Sequence, residues 1–572
     1  MKPTQNEQII LAILDKEPSS KAEFDDARTR VCAKLHTTQP PNRDLFLTYQ
    51  TLVKKKKIPA SHLIENFLRK SGVRSLSGIA VVTSLVKPYS CPGKCVYCPT
   101  EVRMPKSYIA TEPAAARALR LDFSPYEQMR QRILVLERNG HPTDKIEYII
   151  KGGTWNAYPI RYQYWFILES FRAANEVSRK QENKKAPTCC RGPDSDIGAR
   201  KQLHEESPVE ELQAALEKEQ TKNEKARHRI IGLTLETRPD AIKAKTIDHM
   251  RRMGCTRVEL GLQAPDDAIL KLIVRGHTVQ QFKDAMRILR QAGFKVDLHF
   301  MPDLPGTTPA HDVEMYKLLF SDPAFRPDMV KIYPNTVVPS AELYQWFLDG
   351  RYTPYGDAAL FDALLQMKLA TPRYCRISRL IRDIPATEIA AGNIITNLRE
   401  NLEKELTRRN QHCQCLRCRE VGRHMSTKTD VKGKTPPPQL YIDQYDTVGG
   451  TEYFLSFEDK KRIAVYGFLR LRIPTNIERT KDEEQLFSLI PEIRDCAFIR
   501  ELHVYGQLVG IGKDEKNASQ HKGLGKKLVI AAEKIIKKSG VKKIVVISGV
   551  GVRDYYRKCG YRKQGTYMVK AV

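Results

Sequence analysis

Residues 79–98, IAVVTSLVKPYSCPGKCVYC, combine a short apolar stretch with three cysteines that follow it at once. Cys91, Cys95 and Cys98 show the spacing C-x3-C-x2-C. Three thiolates in so short a loop can ligate three irons of a four-iron cluster and leave the fourth iron with an open position. An open metal position is typical of a catalytic site. The alternative is a structural zinc site with a fourth ligand from elsewhere, although no second C-x2-C pair lies nearby.

Beyond residue 76, short apolar strands alternate with longer amphipathic helices. The predicted strands are Ile79–Ser84, Ile146–Ile150, Ile230–Leu235, Arg257–Leu260, Lys295–Phe300 and Met329–Tyr333. The predicted helices include Tyr126–Asn139, Arg161–Val177, Pro239–Met253, Thr278–Ala292 and Ala310–Phe320. This alternation predicts parallel β/α units, and about six of them predict a partial or full β/α barrel.

The composition describes a globular and strongly basic chain. Its 572 residues include 95 Lys and Arg against 67 Asp and Glu, a net charge of +28, and 41% of the residues are hydrophobic. These values exclude global disorder and collagen-like, coiled-coil or disulfide-framework architectures. Such an excess of positive charge favours a polyanionic partner, nucleic acid first and an anionic membrane surface second.

A membrane association is not expected from the apolar segments. The apolar run Ile9–Leu14 is too short for a signal peptide, and no segment approaches the roughly 20 residues that span a bilayer. We therefore expect a cytoplasmic protein, in which thiols stay reduced. Its 13 cysteines are then metal ligands, reactive thiols or core residues.

Four regions are predicted from the changes in composition. Residues 1–75 are expected to be a helical, basic region, and residues 76–385 the barrel. Within the barrel, the polar stretch 179–228 is expected to be a surface insertion, partly disordered. Residues 386–440 form an irregular linker with further cysteines, and residues 441–572 form a second α/β domain.

Polar motifs follow the second, third and fourth predicted strands. They are Gly152-Gly153-Thr154, then Glu236-Thr237-Arg238-Pro239, then ELGLQ, which ends at Gln263. Each lies at the carboxyl end of a strand, where barrel active sites form. Taken alone, the first motif is weak, and the second could be a helix start with Thr237 as its cap.

Together with the cysteines, these motifs resemble the radical S-adenosylmethionine superfamily. The resemblance implies that Cys91, Cys95 and Cys98 hold a [4Fe-4S] cluster whose open iron chelates S-adenosylmethionine, and that a 5′-deoxyadenosyl radical is produced. The residues that it implies for binding S-adenosylmethionine are Gly152, Gly153, Thr154, Glu236, Arg238 and Gln263.

Near the C-terminus, residues 520–525, QHKGLG, open a predicted helix after a strand. Two glycines and a helix N-terminus can bind a pyrophosphate, and the spacing differs from the dinucleotide and Walker fingerprints. A glycine-rich loop that merely caps the helix is the alternative. The loop, with Tyr555-Tyr556 further on, resembles the acetyl-coenzyme A loop of GCN5-related N-acetyltransferases. That resemblance implies that a tyrosine reaches the coenzyme A thiolate.

A second cysteine cluster lies in the linker. Cys413, Cys415 and Cys418 have the compact spacing C-x-C-x2-C, which suits zinc. The fourth ligand stays open between His412, which would be strained, and the distant Cys375. Such a zinc would staple the junction between the domains. The alternative is three ordinary reduced cysteines in a basic loop.

A radical barrel fused to an acetyltransferase domain resembles the family of the elongator complex catalytic subunit, Elongator protein three, and its single-chain bacterial and archaeal relatives. The resemblance rests on KPYSCPGKCVYCP, TLETRPD, VELGLQ, VRGHT, FMPDLPG, AFRPDMVKIYP, RELHVYGQLV, HKGLGKKL and VISGVGVRDYYRKCGY. The cysteine spacing is the short prokaryotic form, and the insertion 179–228 has no counterpart that we can place.

This resemblance implies a tRNA uridine(34) carboxymethyltransferase, which is an acyltransferase that transfers an acetyl-CoA-derived carboxymethyl group to carbon 5 of the wobble uridine. A radical at the acetyl methyl group would add to the base, and hydrolysis of the thioester would leave the carboxymethyl group. The expected partners are the tRNA anticodon stem-loop and an external electron donor, with no membrane, and the chain is expected as a monomer or homodimer.

The resemblance also implies individual site residues. Lys145 and Tyr556 are expected to be catalytic and to contact acetyl-CoA. The further residues expected at acetyl-CoA are Glu501, Leu502, His503, Val504, Leu524, Gly525 and Lys526. For tRNA phosphates, the basic run Lys54, Lys55, Lys56 and Lys57 is expected.

Two other functions are compatible with parts of this sequence. A protein lysine acetyltransferase would use the glycine loop, with Glu501 or His503 as general base, but it leaves the cysteine cluster unexplained. A non-catalytic tRNA-binding scaffold with a structural cluster would account for the charge alone.

Overall fold

Seven parallel strands form an open barrel in the middle of the molecule. The computed structural model describes residues 3–69, 77–177, 207–424, 437–475, 478–505 and 523–572. The strands pair in chain order, and the first and last are not neighbours. They are β1 (Ala80–Leu85), β2 (Lys145–Lys151), β3 (Arg229–Thr237), β4 (Arg257–Gln263), β5 (Lys295–Phe300), β6 (Met329–Ile332) and β8 (Arg376–Arg379). The predicted partial barrel is confirmed.

Each barrel strand has an apolar and a polar face. In β4, Val258 and Leu260 belong to the hydrophobic core, whereas Glu259 between them contacts Lys151 of β2 and Lys331 of β6. Successive side chains of a strand point to opposite faces, so the apolar face packs on the surrounding helices. The polar face lines the inside of the barrel, called the lumen below.

Helices cover the outside of the barrel. They are α5 (Pro113–Arg120), α6 (Pro125–Arg138), α7 (Ile160–Glu176), α8 (Val209–Asn223), α9 (Ala244–Arg252), α10 (Asp267–Leu272), α11 (Val279–Gln291), α12 (Pro309–Ser321), α13 (Leu343–Leu348) and α14 (Asp357–Ala370). Two short strands, β7 (Thr336–Val337) and β9 (Ala391–Gly392), pair with each other beside the barrel. The helix predicted from Pro239 begins only at Ala244, because a 3-10 turn, Pro239–Ala241, precedes it.

The polar stretch 179–228 contains ordered structure in its second part. Its second part is an ordered helix, α8, whose Leu212 and Leu216 are buried one helical turn apart. Asn175 of α7 donates from Nδ2 to the Glu219 carbonyl at 3.0 Å, which fixes α8 against α7. The ordered part of the stretch therefore includes α8, and the remaining residues on which the prediction of partial disorder falls, 178–206, lie outside the described residues.

Residues 5–68 form a helical region with its own hydrophobic cluster, built around Phe24, Phe46 and Tyr49. The helices are α1 (Gln5–Leu14), α2 (Lys21–Lys34), α3 (Asn42–Lys54) and α4 (His62–Leu68). This region meets the barrel where Arg69 donates from Nε to the Gly140 carbonyl at 2.8 Å. Among the described residues, no helix combines the length and the apolar character that a membrane crossing needs.

The C-terminal lobe is a second sheet with seven strands in the order β10-β11-β12-β13-β14-β16-β15. The strands are β10 (Gln439–Thr447), β11 (Gly450–Glu458), β12 (Val465–Pro474), β13 (Ala497–Val504), β14 (Lys543–Val546), β15 (Arg562–Gln564) and β16 (Tyr567–Ala571). The helices of the linker and lobe are α15 (Leu398–Arg408), α16 (Val421–His424), α17 (Lys481–Leu489), α18 (Leu524–Ser539) and α19 (Arg553–Lys558). All neighbouring strands are antiparallel except β13 and β14, which are parallel.

The lobe and the barrel share one continuous hydrophobic core. Arg500 of β13 crosses the boundary between them, and its Nη1 donates to the Phe294 carbonyl at 2.7 Å. The backbone around Gly549 packs directly on β3, where a Cβ at Gly549 would overlap the carbonyl of Ile231. The two sheets are thus joined by buried contacts rather than by a loose hinge.

Candidate active site

The cysteine loop follows β1 and lines a cavity of about 710 Å³. Cys91, Cys95 and Cys98 all form part of its wall. Arg275 Nη1 lies 3.4 Å from the Sγ of Cys95. Burial alone would raise the pKa of the Cys95 thiol, but the charge and hydrogen bond of Arg275 lower it below the ordinary value. Burial instead raises the pKa of the Cys98 thiol to about 12. Three cysteines around one cavity are nevertheless a donor set that fits the expected cluster.

The glycine turn after β2 lies against the cysteine loop. Gly152 and Gly153 have φ angles of 138° and 84°, which side chains rarely adopt. The position of a Gly152 Cβ would also overlap Val86. As a result Thr154 is buried, with its Oγ1 3.7 Å from Cys91 Sγ. The structure thus brings the predicted glycine motif to the predicted cluster.

Arg238 also reaches the cysteine loop, where its guanidinium occupies the space beside Gly93. Arg238 donates from Nε to Asp240 at 2.9 Å and from Nη2 at 3.2 Å. Its buried Nη1 has no hydrogen-bond partner among the described residues. That leaves the Nη1 amino group of Arg238 for an anionic group at the loop, such as a carboxylate.

Gln263 and Glu236 stand at the ends of β4 and β3. Gln263 has φ 77° and is buried, and its Oε1 has no partner within the described part of the chain. Glu236 accepts a hydrogen bond from Tyr108 Oη at 2.8 Å, and its Oε2 lies 3.5 Å from Lys151 Nζ. Glu236 therefore faces the lumen as well as the loop that carries Tyr108.

Below the cysteine loop, the lumen contains a buried charged group that the motifs did not indicate. We call it the lumen charge group; its members are Lys151, Glu236, Glu259, His299 and Lys331. The Oε2 atom of Glu259 pairs with the ammonium groups of Lys151 and Lys331 and lies 3.4 Å from His299 Nε2. Residues of β2, β3, β4, β5 and β6 thus meet at one point of the lumen.

The environment fixes the ionisation of this group. Burial would raise the pKa of Glu259, but Lys151 and Lys331 hold it well below its ordinary value. Burial lowers the pKa of Lys331 to about 8, although Glu259 opposes the shift. Burial and the charge of Lys331 also lower the pKa of His299. At neutral pH, Glu259 is therefore ionised and His299 neutral.

The sequence carried a signal for this group. In VELGLQ, KVDLHF and MVKIY, charged or imidazole side chains alternate with apolar ones inside strands that are buried on both faces. Buried parallel strands are normally continuous apolar runs. A charged residue at every second position therefore indicates a polar lumen, and Arg275 in VRGHT was a further residue without an assigned role.

At the amino ends of the barrel strands, a second cavity of about 150 Å³ separates the barrel from the lobe. Glu147, Lys295 and Arg376 line it from the barrel. From the lobe, the lining includes Glu501, Leu502, His503 and Tyr556, all expected at acetyl-CoA. The lobe thus presents its predicted residues to the barrel.

On the side of the lobe, the wall of this cavity is formed by two strands, β13 and β14, that separate from each other after a short paired segment. β13 pairs with β14 only at Ala497, Phe498 and Ile499, so the segment 501–504 has no partner on that side. Its backbone groups form an open edge, which can hydrogen-bond an amide-containing ligand. Val504 lies beside Gly525, the second residue of α18. Leu524 is buried and Lys526 exposed at this helix start, whereas residues 520–522 lie outside the described residues.

The surroundings of Glu501 and His503 fix the ionisation states of both side chains. Glu501 accepts hydrogen bonds from Arg470 Nε at 2.9 Å and Lys295 Nζ at 3.2 Å. Burial would raise its pKa, but Lys295 and Arg470 hold it far below the ordinary value. Burial lowers the pKa of His503 to about 4. Neither residue is therefore poised as a general base near neutral pH.

Tyr556 and Lys145 differ in their relation to this cavity. Tyr556 is buried in its wall, and burial raises the pKa of its phenol well above the ordinary value. Lys145 is the first residue of β2, two positions before Glu147, so both residues lie on the same face of the strand. Lys145 itself is not among the lining residues.

In the linker, Cys413, Cys415 and Cys418 converge, and their Sγ atoms lie within 4.8 Å of one another. Three thiols so placed fit zinc. Neither His412 nor Cys375 belongs to this group in the part of the chain that the structure describes. The ammonium group of Lys368, which is fully buried, lies 3.9 Å from Cys418 Sγ. Lys368 therefore places a positive charge beside the three thiols.

Lys54 ends α3, and Lys55, Lys56 and Lys57 follow it. All four side chains are exposed, and they belong to the helical region that precedes the barrel in the chain. The predicted basic run is therefore accessible to a polyanion.

The sequence models of known families place the barrel in a class. The model of the Radical SAM superfamily matches residues 203–319, and that of the Radical_SAM C-terminal domain matches residues 327–408. With the open parallel barrel and the cysteine loop, these matches define a radical S-adenosylmethionine domain.

Relatives over nearly the full length define the family more closely. A tRNA uridine(34) acetyltransferase of Methanocaldococcus infernus is 40% identical over 541 residues, which cover 93% of this chain and 91% of the relative. Elongator complex protein 3 of Bos taurus is 33% identical over 571 residues, covering 97% and 94%. The solved structure of the archaeal Methanocaldococcus infernus Elp3 with an N-terminal deletion matches with 36% identity and a TM-score of 0.68, covering 87% of this chain and all of that chain. The chain belongs to the Elongator complex protein 3 family.

Proposed function

We propose that this chain is a tRNA uridine(34) carboxymethyltransferase that uses S-adenosylmethionine and acetyl-CoA. Relatives that carry the name tRNA uridine(34) acetyltransferase support the RNA substrate and the acyl donor. The match to the Radical SAM superfamily supports a radical step. We also propose the four regions, 1–75, 76–385, 386–440 and 441–572, as its functional domains.

One relationship carries this proposal: the two expected cofactor sites lie at opposite ends of the same barrel. The cysteine loop lies at the carboxyl ends of the barrel strands, whereas Glu501, His503 and Tyr556 of the lobe face the amino ends. The lumen charge group lies between these two ends. A base that enters the lumen would therefore meet both cofactors, and the enclosure would exclude water.

In this proposal Cys91, Cys95 and Cys98 hold the cluster, and Arg238 and the turn at Gly152 position S-adenosylmethionine. When bound, these groups would supply an organic radical, and acetyl-CoA would supply the two-carbon unit. Fixed side chains would orient the cluster and S-adenosylmethionine, because Thr154 and Arg238 are buried against the cysteine loop.

In the lobe, the open edge of β13 at residues 501–504 would bind the amide groups of acetyl-CoA, with Leu524, Gly525 and Lys526 beside it. Tyr556 keeps its proton at neutral pH because its pKa is raised. Its phenol can therefore donate a hydrogen bond to the leaving thiolate. Lys145, on the same face of β2 as Glu147 of the cavity lining, would pair with a negatively charged part of the coenzyme.

A protein lysine acetyltransferase gains no support from this geometry. Glu501 is engaged by Arg470 and Lys295, and His503 lies in a cavity whose other wall is the barrel. A peptide lysine would have to reach the thioester through the barrel. An RNA base would instead approach from the cysteine loop, where Lys151 and Glu236 are partly exposed.

The test is anaerobic reconstitution of the full chain with iron and sulfide, followed by incubation with S-adenosylmethionine, acetyl-CoA, a reductant and tRNA. Nucleoside mass spectrometry should detect 5-carboxymethyluridine, together with 5′-deoxyadenosine. Cys95→Ala should abolish both products, whereas the matched variant Cys496→Ala, in the lobe, should keep them. Modified uridine formed by Cys95→Ala would refute the radical mechanism.

A further inference from the structure

Glu259 has one buried carboxylate oxygen that the protein leaves without a donor. Its Oε2 pairs with Lys151 and Lys331, but Oε1 has no hydrogen-bond partner among the described residues. The side chain is only 1% exposed. A buried acceptor without a donor costs free energy. The oxygen is therefore placed to accept a hydrogen bond from a group that enters the lumen.

The three charged residues form a regular pattern across the lumen. The ammonium of Lys151 comes from β2, the carboxylate of Glu259 from β4 and the ammonium of Lys331 from β6. The order is donor, acceptor, donor. The pairing edge of uracil presents the opposite order, because the O2 and O4 carbonyls accept on either side of the N3–H donor.

We propose that Lys151, Glu259 and Lys331 read the pairing edge of the target uracil. Glu259 Oε1 accepts from N3–H, and the two ammonium groups donate to O2 and O4. This inference rests on the proposed function and names the residues that recognise its substrate. Single-stranded RNA bases are commonly recognised by hydrogen bonds to this edge.

The arrangement selects uracil over cytosine and leaves carbon 5 available. Cytosine has an unprotonated N3, which would face the Glu259 carboxylate, and an amino group, which would face an ammonium group. Two of the three contacts would then be repulsive. Carbon 5 of uracil lies on the edge away from N3, so recognition does not cover the atom that reacts.

The group can be reached from the side of the cysteine loop. The side chains of Lys151 and Glu236 are 13% and 16% exposed, whereas Glu259 beneath them is buried. Tyr108, whose hydroxyl group donates to Glu236, belongs to the same loop region as Lys106 of the cluster cavity. A base entering there would meet Lys151 first.

A metal ion is the competing occupant, since the ligand atoms of Glu236, Glu259 and His299 lie within 4.8 Å of one another. Both carboxylates, however, already contact the ammonium group of Lys151. Two lysines beside a cation would repel it. The charges therefore favour a neutral ligand that both donates and accepts hydrogen bonds.

The inference can be tested by binding, without turnover. Anticodon stem-loops carrying uridine, cytidine or 3-methyluridine at the wobble position would be titrated against the full chain by fluorescence anisotropy. The chain should bind uridine at least about 10-fold more tightly than the other two. Equal binding of uridine and 3-methyluridine, in which N3–H is absent, would overturn the inference.

Variants then assign the preference to the named residues. Glu259→Gln and Lys331→Met should each reduce the preference for uridine at least about threefold. Lys283→Met, which breaks the partly exposed ion pair of α11 with Asp322, is the matched control and should keep it. Circular dichroism shows whether each variant folds. If Glu259→Gln does not fold, Lys331→Met alone provides the test.

Two results would overturn the inference while leaving the proposed function intact. One is an unchanged preference for uridine in both folded variants. The other is a bound metal, beyond cluster iron and zinc, that disappears from Glu259→Gln in elemental analysis. A wild-type chain that prefers uridine but forms no carboxymethyluridine would refute the proposed function alone.

Discussion

Arg500 of the C-terminal lobe forms a buried ion pair with Asp328 of the barrel, with Nη1 2.9 Å from Oδ2. Both side chains are at most 2% exposed. Arg500 also donates from Nε to Glu452 at 3.0 Å. The lobe is therefore fixed to the barrel by a buried charge that it shares between its own Glu452 and Asp328 of the barrel.

Replacing Asp328 by Asn should destabilise the whole chain, because it leaves the Arg500 charge buried without its barrel partner. We expect a loss of about 3–5 kcal/mol in the free energy of unfolding. Urea denaturation followed by circular dichroism measures it. Asp349→Asn, in the exposed pair with Arg351, should change the stability by less than about 1 kcal/mol. Equal effects of the two substitutions would contradict the role of the junction.

Gly152→Ala should weaken the binding of S-adenosylmethionine. The φ angle of 138° and the overlap of a Cβ with Val86 would displace the turn from the cysteine loop. We expect at least about a 10-fold loss of affinity, equivalent to about 1.4 kcal/mol. Equilibrium dialysis with the reconstituted protein provides the measurement. Gly356→Ala is the control, because a Cβ there meets no atom within 4 Å.

Asp303 should make the stability depend on pH. Burial raises its pKa to about 7, although hydrogen bonds from Tyr355 and Tyr352 oppose the shift. Because the folded state favours the protonated form, this contribution is complete below pH 4 and is lost as the pH rises through 7. The neighbouring Asp312, with a pKa of about 6, behaves in the same direction.

Asp303→Asn removes this titration. The unfolding free energy of the variant minus that of the wild type should therefore rise between pH 4 and pH 8, by the order of 4 kcal/mol. Urea melts across this range provide the comparison. A difference that stays constant with pH would show that Asp303 does not titrate as its burial implies.

The basic run Lys54–Lys57 should contribute to RNA affinity through counterion release. Replacing all four lysines by glutamine should reduce the slope of log affinity against log salt by up to about 3. Replacing Lys534, Lys537, Lys538 and Lys542, which are exposed in or after α18, gives a matched control. Filter binding of tRNA at several salt concentrations measures both. Identical slopes for the two variants would show that Lys54–Lys57 do not contact RNA.

Local patterns predicted the barrel strands closely. Lys295–Phe300 was placed without error, and Ile230–Leu235 lacked only the ends of Arg229–Thr237. The strand Arg376–Arg379 was missed, because four residues with two arginines carry no strand signal until they pair with β6. The motif at Gly152 likewise reached its place because it follows a strand directly.

Relationships across the barrel could not be predicted in the same way. That Glu259 meets Lys151, 108 positions away, depends on the register and curvature of three strands. The splay of β13 from β14 depends on pairing that stops after Ile499. Neither feature can be predicted from neighbouring residues in the sequence. The charged residues inside apolar strands, in contrast, indicate a polar interior.

The packing of Gly549 on β3 limits how such a chain can be recombined. Any other residue there would push the lobe away from the barrel backbone. A lobe taken from another protein could therefore dock on this barrel only with glycine at the corresponding position, or with its sheet displaced from β3. Chimeras of barrel and lobe should accordingly fold as one unit only when this close backbone contact is kept.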